Sequence, residues 1–141
     1  MLRKLFFVTL LLTLTLAACA PAVPLNDAAG ITITDGLGRE VQLAGPAGRV
    51  VSLAPSNTEI LFAVGAGEKI VGRDEFSDYP EEAKAIESVG GSMGEYSLEA
   101  IVALEPDLVL AAEINSPELV KSLEDLGVTV YYLSNPKTLE G

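Results

Sequence analysis

Three groups of side chains in this sequence have types and spacings that could do chemistry. Ser56 lies in Ala54-Pro55-Ser56-Asn57-Thr58-Glu59, where an apolar run breaks into a polar stretch. A serine at such a turn is a nucleophile, a phosphate-cradling donor or a helix cap. Asp74, Glu75 and Asp78 crowd the segment RDEFSDYP, and carboxylates so placed can hold Mg²⁺ or Ca²⁺. Cys19 is the only cysteine, so it has no disulfide partner within the chain. The sequence contains no histidine. That removes Ser-His-Asp and Cys-His catalysis and the His-rich zinc and copper sites. No Ser-x-x-Lys occurs either, so Ser56 is not expected to be a nucleophile. Gly65-Ala66-Gly67 follows a helical pattern instead of opening one and has no third glycine in register, which argues against dinucleotide or P-loop binding. Phe76, Tyr79 and Tyr96 fall in polar loops. There they are lids over a domain edge or contacts for a flat apolar ligand.

The elements that would position these residues follow from the apolar patterning. Ile31–Leu43 alternates apolar and polar residues around Asp35-Gly36-Leu37-Gly38, which predicts a β-hairpin. Val50–Ala54, Lys69–Gly72, Leu108–Ala112 and Val128–Leu133 are short, mostly apolar strands of the kind buried in a parallel sheet. Ser56-x-x-Glu59 fits a capping box for a helix with Ile60, Leu61 and Val64 on its apolar face, ended by Gly65 and Gly67. A cap does not exclude a second role, because free amides at a helix start bind polar ligand groups. Glu81–Ile86 suggests a helical turn and Gly90–Gly94 a glycine-rich loop, whose glycines allow either close approach of a ligand or positive φ. Ser97 caps a helix over Leu98–Leu104, and Ser116 caps another with Pro117 at its first position and Gly127 past its end. Strands and helices thus alternate, which requires an α/β fold: a parallel sheet with helices on both faces, preceded by a β-hairpin. Ligands in such sheets sit outside the carboxyl ends of the strands. Ala54–Thr58, Arg73–Pro80 and Glu113–Ser116 lie there, and Gly90–Tyr96 is the fourth candidate loop.

At 141 residues the chain is one domain in length. Its start is set apart. Met1–Lys4 is basic, Leu5–Leu16 is an uncharged apolar run of 12 residues, and small residues follow. This is the pattern of a secretory signal, and its helical length of about 18 Å falls short of the ~30 Å hydrocarbon core. Leu16-Ala17-Ala18-Cys19 resembles the lipobox of bacterial lipoproteins. The resemblance implies that residues 1–18 are a signal peptide and that Cys19 is acylated as the mature N-terminus. Residues 19–30, rich in proline and small residues, would then be a tether to the membrane. Removing Arg3 and Lys4 from the nine basic residues leaves seven against 20 acidic ones. So acidic a surface repels phosphate backbones, and nucleic acid is not an expected partner.

Read together, VVSLAPSNTEILFAVGAG, the Ser77-Asp78-Tyr79-Pro80 element, SLEAIVALEPDLVLAA and LVKSLEDLGVTVYYLS resemble one lobe of class III periplasmic binding proteins. These are the substrate-binding subunits of ABC importers for cobalamin, ferric siderophores and haem. The resemblance spans about Arg49–Ser134, and Ser-Asp-Tyr-Pro is most similar to the cobalamin branch. It implies a binding protein and no enzyme, with no resident cofactor or metal, working with a permease and an ATPase on the extracytoplasmic side of the membrane. It implies that Pro55, Ser56 and Asn57 face the ligand cleft. Phe76, ahead of Ser-Asp-Tyr-Pro, would touch the macrocycle with Tyr79 beside it, and Ser92 and Met93 would occupy the adjoining loop. Glu99 would dock on permease arginines, or simply complement the helix dipole as a first-turn acid. The cobalamin proteins carry a tryptophan in the loop that here reads Gly91-Ser92-Met93-Gly94, and this sequence has none. The family also has a long spanning helix and a second lobe. On this reading residues 31–141 are the first lobe, and the spanning helix would begin near Asn135–Gly141. The competing expectation is a cell-surface α/β enzyme using a metal on Asp74, Glu75 and Asp78. A zinc- or manganese-binding relative is disfavoured by the missing histidines.

Overall fold

The computed structural model describes residues 30–138. The segment 1–29, with Cys19 and the expected signal and tether, lies outside them.

A two-stranded antiparallel hairpin comes first, β1 (Ile31–Thr34) with β2 (Glu40–Leu43), in the register Ile31 to Leu43 and Thr34 to Glu40. The rest is a parallel four-stranded sheet. Its strands are β3 (Val50–Ser52), β4 (Ile70–Arg73), β5 (Leu108–Ala112) and β6 (Val130–Leu133), in the order β4-β3-β5-β6. Every pair is parallel, with Val51 beside Val109 and Val109 beside Val130. The near-continuous Val/Leu/Ala character of β3 and β5 reflects strands covered on both faces. Helix α1 (Pro55–Ala63) connects β3 to β4, α2 (Leu98–Ala103) precedes β5, and α3 (Pro117–Asp125) connects β5 to β6. Right-handed crossovers put α1 on one face of the sheet and α2 and α3 on the other. The main core cluster accordingly joins Val51, Leu53, Val109, Ala111 and Val130 to Ile101 of α2 and Val120 and Leu123 of α3, with no member from α1. The hairpin tip leans on β6, where the Gly36 amide donates to the Tyr132 carbonyl at 2.7 Å.

Two helix starts are as the sequence predicts. Ser97 Oγ accepts from the Ala100 amide at 3.1 Å, and Ser116 Oγ from the Leu119 amide at 3.2 Å. Two helix ends are also legible. Gly65 and Gly127 take positive φ, and the chain closes back with Ala66 N to Leu61 O and Val128 N to Leu123 O.

The start of α1 differs from the expectation. Pro55 is the first helical residue, Ala54 is the extended N-cap, and no side chain caps the helix. Ser56 is therefore one residue inside and exposed, and Glu59 does not reach back. Proline has φ preset for a first helical position and has no amide to satisfy, so the helix starts on Pro55 and its cap falls two residues before Ser56. Ile60 and Val64 are correspondingly exposed, and the buried positions of α1 are Asn57 and Thr58. The reason lies in the polar layer beneath the helix, described next.

Candidate functional site

At the carboxyl ends of the strands four loops converge: the turn from β3 into α1, the β4 loop through Pro80, the glycine loop before α2, and Glu113–Ser116 after β5. The chain order in the sheet reverses between β3 and β5, the place where α/β sheets open a ligand crevice.

Beneath this rim lies a layer of buried polar side chains. On the β4 side, Thr58 Oγ1 is 2.8 Å from Ser52 Oγ and 2.9 Å from Ser77 Oγ, and Ser77 Oγ donates to Asp74 Oδ2. Each hydroxyl has one proton, so the chain ends naturally on an acceptor-only carboxylate. Asp74 is 2% exposed and its Oδ1 accepts from the Phe76 amide at 2.9 Å. On the β5 side, Asn115 Oδ1 accepts from the Ala112 amide at 2.7 Å. Its Nδ2 donates to the Leu53 carbonyl at 3.1 Å and to the Tyr96 hydroxyl at 2.9 Å. Tyr96 in turn donates to the same Leu53 carbonyl at 2.9 Å. Burial raises the Tyr96 phenol above its ordinary pKa; the Asn115 donor opposes this and the Asp74 charge adds to it. The phenol is therefore a neutral donor at physiological pH. Asn57, 3% exposed, donates from Nδ2 to the Leu110 carbonyl at 3.2 Å.

Above this layer the sequence-predicted residues are distributed as follows. Pro55 and Ser56 stand at the start of α1, Ser56 exposed, with Asn57 buried below them. Phe76 and Tyr79 stand out from the β4 loop, 59% and 67% exposed. Ser92 is exposed on the 3₁₀ turn Ser92–Gly94, and Met93 is the middle residue of that turn. Glu99 is exposed in the first turn of α2. The fold thus brings the loops of Pro55–Asn57, Phe76–Tyr79 and Ser92–Met93 to one rim. The Glu75 amide donates to the Gly90 carbonyl at 2.7 Å, which joins the second and third of these. Asn115 was not singled out by sequence, and Tyr96 only as one of three loop aromatics.

Both Asp74 oxygens are engaged by protein donors, and among the described residues no three His, Cys, Asp or Glu side chains gather to hold an ion. The rim instead offers projecting aromatic faces over a buried, hydrogen-bonded polar floor, an arrangement suited to a large, partly apolar solute. A shallow depression of about 450 Å³ continues it along α1, lined by Glu59, Phe62, Tyr79, Pro80 and Glu82.

Comparison with known proteins agrees with this geometry. Residues 50–139 match the family described as "Periplasmic binding protein". The chain is 47% identical over 98 residues to the vitamin B12-binding protein of Vibrio campbellii, covering 69% of this chain and 35% of the relative. It is 38% identical over 111 residues to the uncharacterized ABC transporter substrate-binding lipoprotein YvrC of Bacillus subtilis, covering 77% and 35%. Among solved structures, it is similar to the periplasmic vitamin B12 binding protein BtuF of Vibrio cholerae, with 43% identity, a TM-score of 0.61 and coverage of 67% and 37%. The periplasmic heme binding protein of Pseudomonas aeruginosa gives 35% identity and a TM-score of 0.62, with coverage of 67% and 34%. The chain spans about a third of the length of the curated relatives it matches. These are binding proteins and not enzymes, which sets aside the metal-dependent enzyme. On the matched span, the parallel sheet and the converging rim, the chain belongs to the class III periplasmic binding proteins.

Proposed function

We propose that this chain forms one lobe of the substrate-binding subunit of an ABC importer, and that the subunit captures a metal chelate and delivers it to the permease. Cobalamin is the ligand favoured, with haem and ferric siderophores as the other members of the class. The observation that carries this reading is the exposed Phe76–Tyr79 pair on the rim of a chain that is 47% identical, over 98 residues, to a vitamin B12-binding protein. Phe76 and Tyr79 supply apolar contact to a flat macrocycle. Pro55 and Ser56 line the rim with the first turn of α1, and Asn57 fixes that turn from below. Ser92 and Met93 border the opposite side. Glu99, exposed on α2, meets a permease arginine. The acylated Cys19 holds the protein on the extracytoplasmic membrane surface, where the permease and its ATPase receive the solute. A single lobe covers one side of a ligand, so tight binding belongs to a protein with both walls of the cleft.

The test is titration of the full protein carrying this sequence with cyanocobalamin, hemin and ferrichrome, followed by calorimetry or by the ligands' own absorbance. Saturable binding of one of them at micromolar concentration or below is expected. Absence of binding to all three removes the ligand class. Metabolic labelling with palmitate tests the anchor, with Cys19→Ser expected to abolish incorporation.

A further inference from the structure

We infer that Tyr96 and Asn115 are positioning residues of the ligand rim: they lock the loops after β3 and β5 to the glycine loop before α2, and so set the geometry that the solute meets. This deepens the reading just given and rests on it. Three side chains, Asn57, Tyr96 and Asn115, hydrogen-bond across the carboxyl ends of β3 and β5. Asn57, on the β3 side, reaches across to the Leu110 carbonyl of β5, and Asn115, on the β5 side, reaches back to the Leu53 carbonyl after β3. Leu110 O also accepts from the Leu53 amide at 2.9 Å, so Asn57 shares the acceptor of a β3–β5 backbone bond while Asn115 takes the carbonyl of the same Leu53. Tyr96 completes the brace. Its hydroxyl bonds both Leu53 O and Asn115 Nδ2, while its ring lies under Gly91. A Cβ at Gly91 would come within 3.1 Å of that ring and 3.3 Å of Asp74 Cβ. Gly91, which leads into the turn that carries Ser92 and Met93, thus packs closely on both the Tyr96 ring and the aspartate that holds the Phe76 amide.

One tyrosine therefore bonds the turn after β3 and the loop after β5 and packs against the glycine loop. These bonds join polar groups at the carboxyl margin of the core, where Leu53 belongs to the main cluster and Tyr96 packs against it. Removing the hydroxyl frees the loops from one another before it loosens the sheet. A prearranged rim binds more tightly because less ordering remains to be done on binding.

The experiment compares two tyrosines that each donate to a backbone carbonyl. Tyr131 donates to Thr34 O at 3.1 Å, joining β6 to the hairpin away from the rim. Tyr96→Phe and Tyr131→Phe are made in the full protein. Each is measured for affinity toward cyanocobalamin, hemin and ferrichrome, and for amide hydrogen exchange without ligand over residues 53–57 and 113–116. Tyr96→Phe is expected to weaken binding of the recognised probe about five- to tenfold and to speed exchange in those segments about tenfold, the scale of one hydrogen bond. Tyr131→Phe is expected to change neither. Equal effects of the two variants, unchanged exchange in Tyr96→Phe, or faster exchange with unchanged affinity each overturn the positioning role. If the unsubstituted protein binds none of the probes, the proposed function fails and the positioning role with it. If it binds and Tyr96→Phe binds equally well, only the positioning role is lost.

Discussion

The two rims of the parallel sheet solve the same problem in opposite ways. At the amino ends of the strands, Asp107 Oδ2 accepts from the Gly48 and Arg49 amides, both at 2.8 Å. The Arg49 Nε donates to the Leu104 and Glu105 carbonyls at the end of α2, both at 3.1 Å, a cation placed where a helix end favours one. These are charged, exposed groups tying the start of β3 to the end of α2 and the start of β5. At the carboxyl ends the supporting groups are buried and, apart from Asp74, uncharged hydroxyls and amides, while the aromatic rings above them project into solvent. A concavity of about 370 Å³ lies at the amino rim, lined by Leu43, Pro46, Ala47, Pro106, Asp107 and Thr129. It brings together no aromatic side chain and no buried polar layer. The two rims therefore differ less in concave volume than in what surrounds it: the carboxyl rim sets exposed rings over a buried polar layer.

The largest effect that would break this contrast is expected from Ser77→Ala. The substitution removes the one side-chain donor to the buried Asp74 carboxylate and one of the two hydroxyl neighbours of Thr58. Losing a charge-assisted bond to a buried acceptor costs about 2–3 kcal/mol, which in a domain of this size lowers the melting temperature by about 10 °C or more. A shift under about 3 °C in a thermal melt would mean that the buried layer does not support the rim.

Beside β6, the hairpin tip carries a charged clamp. Burial alone would raise the Asp35 pKa, but the Arg39 side chain and the amides of Arg39 and Leu37 together hold it below the ordinary value. The arginine also meets Glu124 of α3, and its own pKa is raised by these partners. A carboxyl depressed in the folded state contributes stability that is full above its unfolded pKa and is lost as pH falls through the folded one. Asp35→Asn should thus cost about 1–2 kcal/mol at neutral pH. The gap to the parent chain should close below about pH 4, as followed by denaturant unfolding at several pH values. A gap independent of pH would show that the carboxylate charge contributes nothing.

How much of this was legible in the sequence depends on the range of the signal. The alternation of strands and helices, the serine caps at 97 and 116 and the terminating Gly127 are local patterns, and each is where its spacing places it. The start of α1 was misplaced because two local signals competed there, the capping box on Ser56 and the proline before it. The apolar face of α1 was misassigned because Thr58 and Asn57 are drawn inward by partners as far away in sequence as Ser77 and Leu110. Asn115 and Tyr96 meet the Leu53 carbonyl across 62 and 43 residues. No window of sequence carries a periodicity for such a contact. The loops that form the rim could be listed from topology, whereas the side chains that brace it required the fold.

A smaller loss is expected at the amino rim. Asp107→Ala removes two hydrogen bonds, but the freed amides are exposed and water replaces the carboxylate, so the cost should be about 1 kcal/mol. Affinity for whichever probe binds should not change. Weaker binding in this variant would couple the two rims and dissolve the distinction between them.

The smallest change in stability belongs to the residue with the largest proposed part in binding. The Phe76 amide is held by Asp74, but its ring is 59% exposed and takes no place in the core cluster. Phe76→Ala should therefore alter unfolding free energy by less than about 0.5 kcal/mol, as for other exposed positions. Its aromatic contact with a macrocycle is worth about 1 kcal/mol beyond the area it covers, so affinity should fall about tenfold once that area is included. The pairing with Ser77→Ala is what makes the result decisive. The neighbouring serine should cost stability because it lies in the floor, and the phenylalanine should cost affinity because it lies on top. A Phe76→Ala protein that melts several degrees lower would make the ring a lid over the domain edge, and one that binds normally would place the solute elsewhere on the rim.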